Sequence, residues 1–138
     1  IFKKDWIKYK KDINADDCCA SSSFIVHDHF VFLFGGTCYP FGRTISNTLS
    51  MFDFTTKRWE VLSAKNNEPS INQPQPLYGS LMFYYGESVY IYGGSYALDF
   101  SNSMHKFCLS TRKWSLVRHQ GNIPLPSYRV AGTIVGHR

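Results

Sequence analysis

The sequence runs to 138 residues, 43% hydrophobic and 18% charged, a balance that suits a folded domain and excludes a disordered chain. Its formal charge of +5 is uneven: Lys3, Lys4, Lys8, Lys10 and Lys11 supply a third of the 15 Lys and Arg, so no uniform basic face is offered to nucleic acid. No run approaches the roughly 18 apolar residues of a membrane helix, and neither nucleic acid nor a membrane is an expected partner.

The chain opens on Ile1-Phe2-Lys3-Lys4-Asp5-Trp6, with no initiator Met and no apolar run leading to a small-residue cleavage site. It reads as the interior of a longer protein. Residues 1–10 carry a strand-like Asp5-Trp6-Ile7-Lys8-Tyr9. After a polar segment over 11–20, four short strands are predicted at 23–26, 30–34, 49–54 and 59–62. His27-Asp28-His29 and Thr55-Thr56-Lys57-Arg58 supply polar turns, and Gly35-Gly36 ends the second strand, where glycine permits a close approach of neighbouring backbone. Residues 63–76 form a polar connection stiffened by Pro69, Pro74 and Pro76. Four more strands follow at 80–84, 88–92, 104–109 and 114–117, with Gly93-Gly94 after the second. A third connection over 118–126 leads to Tyr128-Arg129-Val130-Ala131-Gly132-Thr133-Ile134-Val135, again strand-like. Aromatic residues at 17% fit this all-β reading, since flat rings pack well on a pleated surface.

These elements repeat. Val31-Phe32-Leu33-Phe34-Gly35-Gly36-Thr37 matches Val89-Tyr90-Ile91-Tyr92-Gly93-Gly94-Ser95, 58 residues on. Asn47 to Trp59 matches Asn102 to Trp114 at an offset of 55, the difference falling in a longer loop of the first copy. Trp6 lies 53 residues before Trp59. A period of about 50 residues with four strands per copy describes the blades of a β-propeller. Blades are therefore expected at 21–62 and 78–117, with 1–10 as the last strand of a preceding blade and 127–138 as the first strand of a following one. Blades stacked face to face need bulky wedges, a role expected for Trp59 and Trp114 with Phe52 and Phe107 beneath them.

The order of β run, Gly-Gly, strand, Thr, basic pair and Trp resembles the kelch-repeat β-propeller family, and both copies carry it. The loop Gly35-Gly36-Thr37-Cys38-Tyr39-Pro40-Phe41-Gly42, with Lys57-Arg58-Trp59-Glu60-Val61-Leu62-Ser63, Tyr78-Gly79-Ser80, Ser103-Met104-His105-Lys106-Phe107 and Tyr128-Arg129, is similar to one kelch subfamily in particular. The resemblance implies a ring of about six blades, of which this sequence is a partial arc. It further implies a substrate receptor of a cullin-2 RING ubiquitin ligase that recognises the carboxyl termini of client proteins, with elongins B and C and cullin-2 as partners through a region absent here. A cytoplasmic or nuclear location is expected from the cysteine pattern and the lack of any Asn-x-Ser/Thr site. A kelch scaffold that binds a phosphatase or a cytoskeletal protein, with no ligase role, is the alternative. The chain departs from the family at two strand starts: Tyr78-Gly79-Ser80-Leu81 and Arg129-Val130-Ala131-Gly132 lack an Arg-x-x-His pattern.

A peptide carboxylate calls for a fixed cation, hydroxyl or amide donors and a concave apolar setting. Arg129, at the start of an inner strand, is the expected cation. Tyr78 and Ser80 hold the corresponding positions one blade earlier and are expected to offer hydroxyls. In the long loop over 37–46, Tyr39 and Phe41 are candidate apolar anchors and Arg43 a candidate cation at the rim.

Other chemistry finds little support. His27-Asp28-His29 lies at a hairpin tip and lacks a third ligand, so no metal is expected. Gly35-Gly36 has neither the Lys-Ser/Thr of a phosphate loop nor a dinucleotide fingerprint, and no cofactor is expected. Cys18, Cys19, Cys38 and Cys108 show no spacing that reveals a disulfide framework, which with the lack of any Asn-x-Ser/Thr site favours a reducing compartment. A copper radical oxidase built on kelch-like blades would need a Tyr cross-linked to a Cys. Adjacent Cys38-Tyr39 does not provide that geometry, and a non-enzymatic binding protein is expected.

Overall fold

The computed structural model describes residues 20–135. Strands β1 (Ser23–His27), β2 (Phe30–Phe34), β3 (Leu49–Asp53) and β4 (Arg58–Ser63) form one antiparallel sheet in that order. The second repeat gives β5 (Leu81–Tyr85), β6 (Ser88–Tyr92), β9 (Met104–Cys108) and β10 (Lys113–Val117), a second antiparallel sheet in the order β5-β6-β9-β10. Between β6 and β9 stands a small hairpin of β7 (Ser95–Tyr96) and β8 (Asp99–Phe100), which the sequence pattern does not suggest. The two four-stranded sheets are the predicted blades, and the fold is an all-β partial propeller.

The second strand of each blade begins and ends where expected, at 30–34 and 88–92, while other strand ends coincide or differ by one residue. Two expectations at the flanks stand differently. Asp5-Trp6-Ile7-Lys8-Tyr9 lies outside the described residues. Residues 128–135 form no strand, against expectation. An inner strand is completed by pairing with the second strand of its own blade, and 128–135 belong to no sheet among the described residues.

The blades meet face to face. Alternate residues of a strand share one face, so β2 sends Phe32 and Phe34, and β6 sends Val89 and Ile91, into a common core with Leu49 and Phe107. Trp114 is the wedge: its ring sits edge-on to Phe107 at 5.0 Å in its own blade and to Phe34 at 5.9 Å in the other. Its indole N–H donates across the seam to Ser63 Oγ at 2.9 Å. Trp59 packs on Phe52 of its own blade, with the rings tilted at 49° and 5.2 Å apart. At the inner edge, Ser23 of β1 meets Ser80 through hydroxyls 2.8 Å apart, and Ser23 Oγ also donates to the Ser80 carbonyl.

The Gly pairs close the seam at one end. The second glycine of the first blade donates its amide to the Leu77 carbonyl at 2.9 Å, and the Leu77 amide returns to the Ser46 carbonyl at 2.9 Å. The next blade repeats the arrangement: Gly94 N–H to the Ser127 carbonyl at 2.9 Å, and Ser127 N–H to the Ser101 carbonyl at 3.1 Å. Gly35 and Gly93 both have φ of +66°, which L side chains seldom adopt. A Cβ on Gly93 would lie 2.8 Å from the Ser127 carbonyl oxygen, and one on Gly35 would press still harder on the Leu77 oxygen.

This geometry separates Gly93 from a glycine of a surface turn. Gly86, in the β5–β6 turn, also has a positive φ of +53°, but a Cβ there would meet nothing within 4 Å. Gly86→Ala should cost about 1 kcal/mol through backbone strain alone. Gly93→Ala adds a clash with rigid backbone and should cost about 3 kcal/mol. Urea denaturation of the full-length protein distinguishes them, and equal losses for the two variants would contradict the seam geometry.

Candidate functional site

The end of the blades that carries the Gly pairs also carries the longest excursions of the chain. The connection over 37–48 leaves β2, the β7–β8 hairpin leaves β6, and the starts of successive blades pass between them at 77–80 and 127–130. Those starts share a backbone device. Ser21, Gly79 and Arg129 all sit in the left-handed region, at φ of 54°, 64° and 54°. The Gly79 amide donates to the Ser21 carbonyl at 2.8 Å, and the Arg129 amide donates to the Gly79 carbonyl at 2.6 Å. One backbone bond thus links each of these starts to the one before it at the inner edge. Glycine at position 79 also leaves room for the Arg129 stem, since a Cβ there would stand 3.3 Å from Arg129 Cγ.

Tyr78 is the hub of this end. Its amide and carbonyl both pair with Ser95, at 3.0 and 2.9 Å, which ties the β7–β8 hairpin to the start of the second blade. Its hydroxyl donates to the Ala97 carbonyl at 3.1 Å and accepts from Ser95 Oγ at 3.2 Å. Those bonds hold Ala97, a non-glycine residue at φ of 55°, at the hairpin tip. On the outside, the Tyr78 ring meets Phe41 edge-on at 5.0 Å and Tyr128 edge-on at 6.4 Å. Tyr128 in turn stacks on Phe100 at 5.0 Å with the rings nearly parallel at 5°. The Arg129 guanidinium stands 5.5 Å from the Tyr128 ring centre, a cation–π arrangement.

The result is an aromatic ridge, Phe41–Tyr78–Tyr128–Phe100, flanked by Arg129 and running across both blades. Tyr78 is only 7% exposed, but Phe41, Phe100 and Tyr128 are 52%, 49% and 40% exposed. Contiguous exposed rings of this kind mark binding surfaces, because exposure of large apolar area to water is otherwise unfavourable. Tyr39 and Leu98 project from the loops beside the ridge and are almost fully exposed.

The six residues singled out from sequence fall into distinct places. Arg129 and Phe41 lie on the ridge, and Tyr39 stands near it. Tyr78 is the buried ring of the ridge, with its hydroxyl already partnered, and Ser80 is buried in the seam against Ser23. These two therefore build the site from within and do not present free hydroxyls. Arg43 lines a separate cleft with Lys65. Sequence reasoning misses Phe100, Tyr96 and Leu98: the first repeat closes the corresponding loop by a single antiparallel bridge between Thr37 and Ile45, and its loop residues do not match theirs. The run Tyr96-Ala97-Leu98-Asp99-Phe100 between two strands is the available signal.

The loop over 37–46 is held by a buried threonine. Thr37 Oγ1 donates to the Thr44 carbonyl at 2.8 Å and accepts from the Gly42 amide at 2.9 Å, and the Cys38 amide donates to the Thr44 carbonyl at 3.0 Å. Cys38 is disulfide-bonded, which its spacing from other cysteines does not reveal, and Cys108 is free. Cys18 and Cys19 lie outside the described residues. At the opposite end, His27 stacks on Tyr84 of the neighbouring blade at 3.7 Å, so at least one histidine of His27-Asp28-His29 serves packing. Hydrogen bonds from Ser110, then Thr111, bring the Cys108 thiol down to about 6.

A family model described as the KLHDC2/KLHL20/DRC7 Kelch-repeats domain matches residues 2–138. The chain belongs to the kelch-repeat family. Among curated proteins, kelch domain-containing protein 10 of Bos taurus and of Homo sapiens are each 32% identical to it over 113 residues, 80% of this chain and 24% of each relative. The leucine-zipper-like transcriptional regulator 1 homolog of Drosophila melanogaster is 30% identical over 118 residues, 82% of this chain and 11% of that protein. The kelch chain described here thus spans about a quarter of the length of its kelch domain-containing protein 10 relatives, at 24%. It carries a kelch-repeat protein-interaction domain.

Tyr78→Phe tests how this kelch site is supported. The variant keeps the ring in the ridge but removes the bond to the Ala97 carbonyl. It should cost about 1 kcal/mol and speed amide exchange in the β7–β8 hairpin while leaving β5 and β6 unchanged. Unaltered hairpin exchange would show that Tyr78 does not hold it.

Proposed function

We propose that this kelch domain binds the carboxyl-terminal end of a partner protein along the aromatic ridge, with Arg129 taking the terminal carboxylate. The observation that carries the reading is the ridge itself: four successive rings, three of them substantially exposed, with a guanidinium against the third. Arginine pairs with a carboxylate through two parallel N–H···O bonds, and neighbouring rings lower the local dielectric and strengthen them. Stacking on Tyr128 also limits the rotamers open to Arg129, so less freedom is lost on binding. The exposed rings give the preceding residues of the peptide apolar contact without demanding one sequence.

We further propose, from the resemblance to kelch domain-containing protein 10, that the whole protein is a substrate receptor of a cullin-2 RING ubiquitin ligase. In this reading the propeller selects the client by its carboxyl end, and elongins B and C connect the receptor to cullin-2 through a region beyond the propeller. Co-purification of these three proteins with the full-length chain is the direct check on the ligase role. A partner retained without them would favour the scaffold alternative.

The binding reading has its own test. Arg129→Ala in the full-length protein should weaken a fluorescent peptide ending in Pro-Gly by about tenfold or more, as loss of a charge-assisted pair requires. The same peptide amidated at its carboxyl end should bind the wild-type protein as weakly as the free acid binds the variant. An unchanged dissociation constant for Arg129→Ala would remove Arg129 from the site.

A further inference from the structure

Beside the ridge lies a second feature with a different chemistry. The loop over 37–48 of the first blade, the connection over 63–76 and the tip of the β7–β8 hairpin enclose a cleft of about 240 Å³. Arg43 and Lys65 line it, together with Asn67 and Tyr96, and no carboxylate does. Among the described residues the ion pairs are His27–Asp28 and Arg112–Glu60, so neither cation of the cleft has an acidic partner there. Two cations sharing a concavity without a counter-charge create a positive potential that low-dielectric walls focus outward.

The backbone that presents both cations is fixed by buried polar side chains. Asn47 is buried, and its Nδ2 donates to the carbonyls of Asn66 at 2.8 Å and Pro74 at 2.9 Å. Its Oδ1 accepts from the Asn66 amide at 2.9 Å. The residue next to Lys65 is therefore gripped at both its N–H and its C=O. Across the cleft, buried Thr37 bonds the Gly42 amide and the Thr44 carbonyl, the two neighbours of Arg43. The Arg43 amide adds a bond to the Pro40 carbonyl at 3.1 Å. Cations mounted on fixed backbone lose less freedom when they meet an anion than cations on mobile loops.

We propose that this cleft is an oxyanion site that takes an acidic side chain of the bound peptide, a carboxylate of Asp or Glu or a phosphorylated residue, between Arg43 and Lys65. Gly42 and Ala97 line the cleft and adjoin Phe41 and the Tyr78 hydroxyl, so an extended peptide on the ridge passes its mouth. The inference rests on the ridge reading only in taking the partner to be a peptide. It adds a preference for an acidic internal residue to the preference for a free carboxyl end.

The test uses the full-length protein and three peptides, each acetylated at the amino end and amidated at the carboxyl end: hexaglutamate, hexaglutamine, and alternating Ser and phosphoserine. Amidation removes the terminal carboxylate, so Arg129 plays no part, and Arg129→Ala should bind hexaglutamate as the wild type does. Failure of the carboxyl-end reading and failure of this one are thereby told apart. Hexaglutamate should bind and hexaglutamine should not, and Arg43→Gln with Lys65→Gln should weaken hexaglutamate by about tenfold or more. Arg58→Gln with Lys113→Gln makes the same charge change at exposed strand starts of the opposite end and should leave affinity unaltered. Tighter binding of the phosphoserine peptide, lost in the same Arg43/Lys65 variant, would support the site and assign phosphate as the preferred oxyanion. Equal weakening by the two pairs of substitutions would mean that only net charge is read, and would overturn the proposal. Equal binding of hexaglutamine would overturn it as well.

Discussion

In each blade the second glycine of the pair donates its amide to a carbonyl of the chain segment that opens the following blade. Most of the architecture depends on that bond. The approach is possible because neither glycine carries a side chain, and the left-handed backbone of the first glycine turns the chain toward its neighbour. The bond fixes where 77–80 and 127–130 lie, and so fixes how far β5 stands from β1. With that spacing set, Trp114 can reach both Phe107 in its own blade and Phe34 in the other, and its indole can find Ser63 across the seam. Core packing and backbone pairing specify the same inter-blade distance, the agreement between levels expected of a sequence with one native state.

The same seam builds the binding surface. Because the Gly pairs bring the start of one blade against the end of the second strand of the previous one, Tyr78 arrives beside both the loop over 37–48 and the β7–β8 hairpin. Its buried hydroxyl orders the hairpin, and its ring supports Phe41 and Tyr128 outside. A polar side chain whose bonds all point inward can thereby shape a surface it scarcely touches. The arrangement also explains the mixture at this end of the kelch domain: rigid residues below, exposed rings above, and cations at two separate positions. Interfaces that use few, well-supported anchors fit this pattern.

The strands are legible because β structure in this chain is punctuated by glycine and by short polar turns. Residues 30–34 and 88–92 can be delimited without error since Gly35 and Gly93 stop them on one side and a turn on the other. Trp114 can be recognised as a wedge because its spacing from Trp59 repeats the blade period. What the sequence conceals is of three kinds. The β7–β8 hairpin has strands of two residues each, too short for any alternation to register. Tyr78 and Ser80 look available in the sequence because a hydroxyl near a strand start signals nothing about its partners, which come from residues 15 or more positions away. Lys65 escapes notice because the connection over 63–76 looks like an ordinary polar crossing; only the two-sided grip of Asn47 on Asn66 reveals that it is held in place.

The central claim is that the glycine seam is a permanent structural element and not a loose contact between independent sheets. Native-state hydrogen exchange of the Gly36 and Gly94 amides measures this directly in the full-length protein. If the seam is integral, both amides should exchange as slowly as those of Phe32 and Ile91 in the strand centres, opening only when the blades unfold together. Exchange at the rate of the exposed Gly121 amide would show that the blades part readily, and would contradict the account.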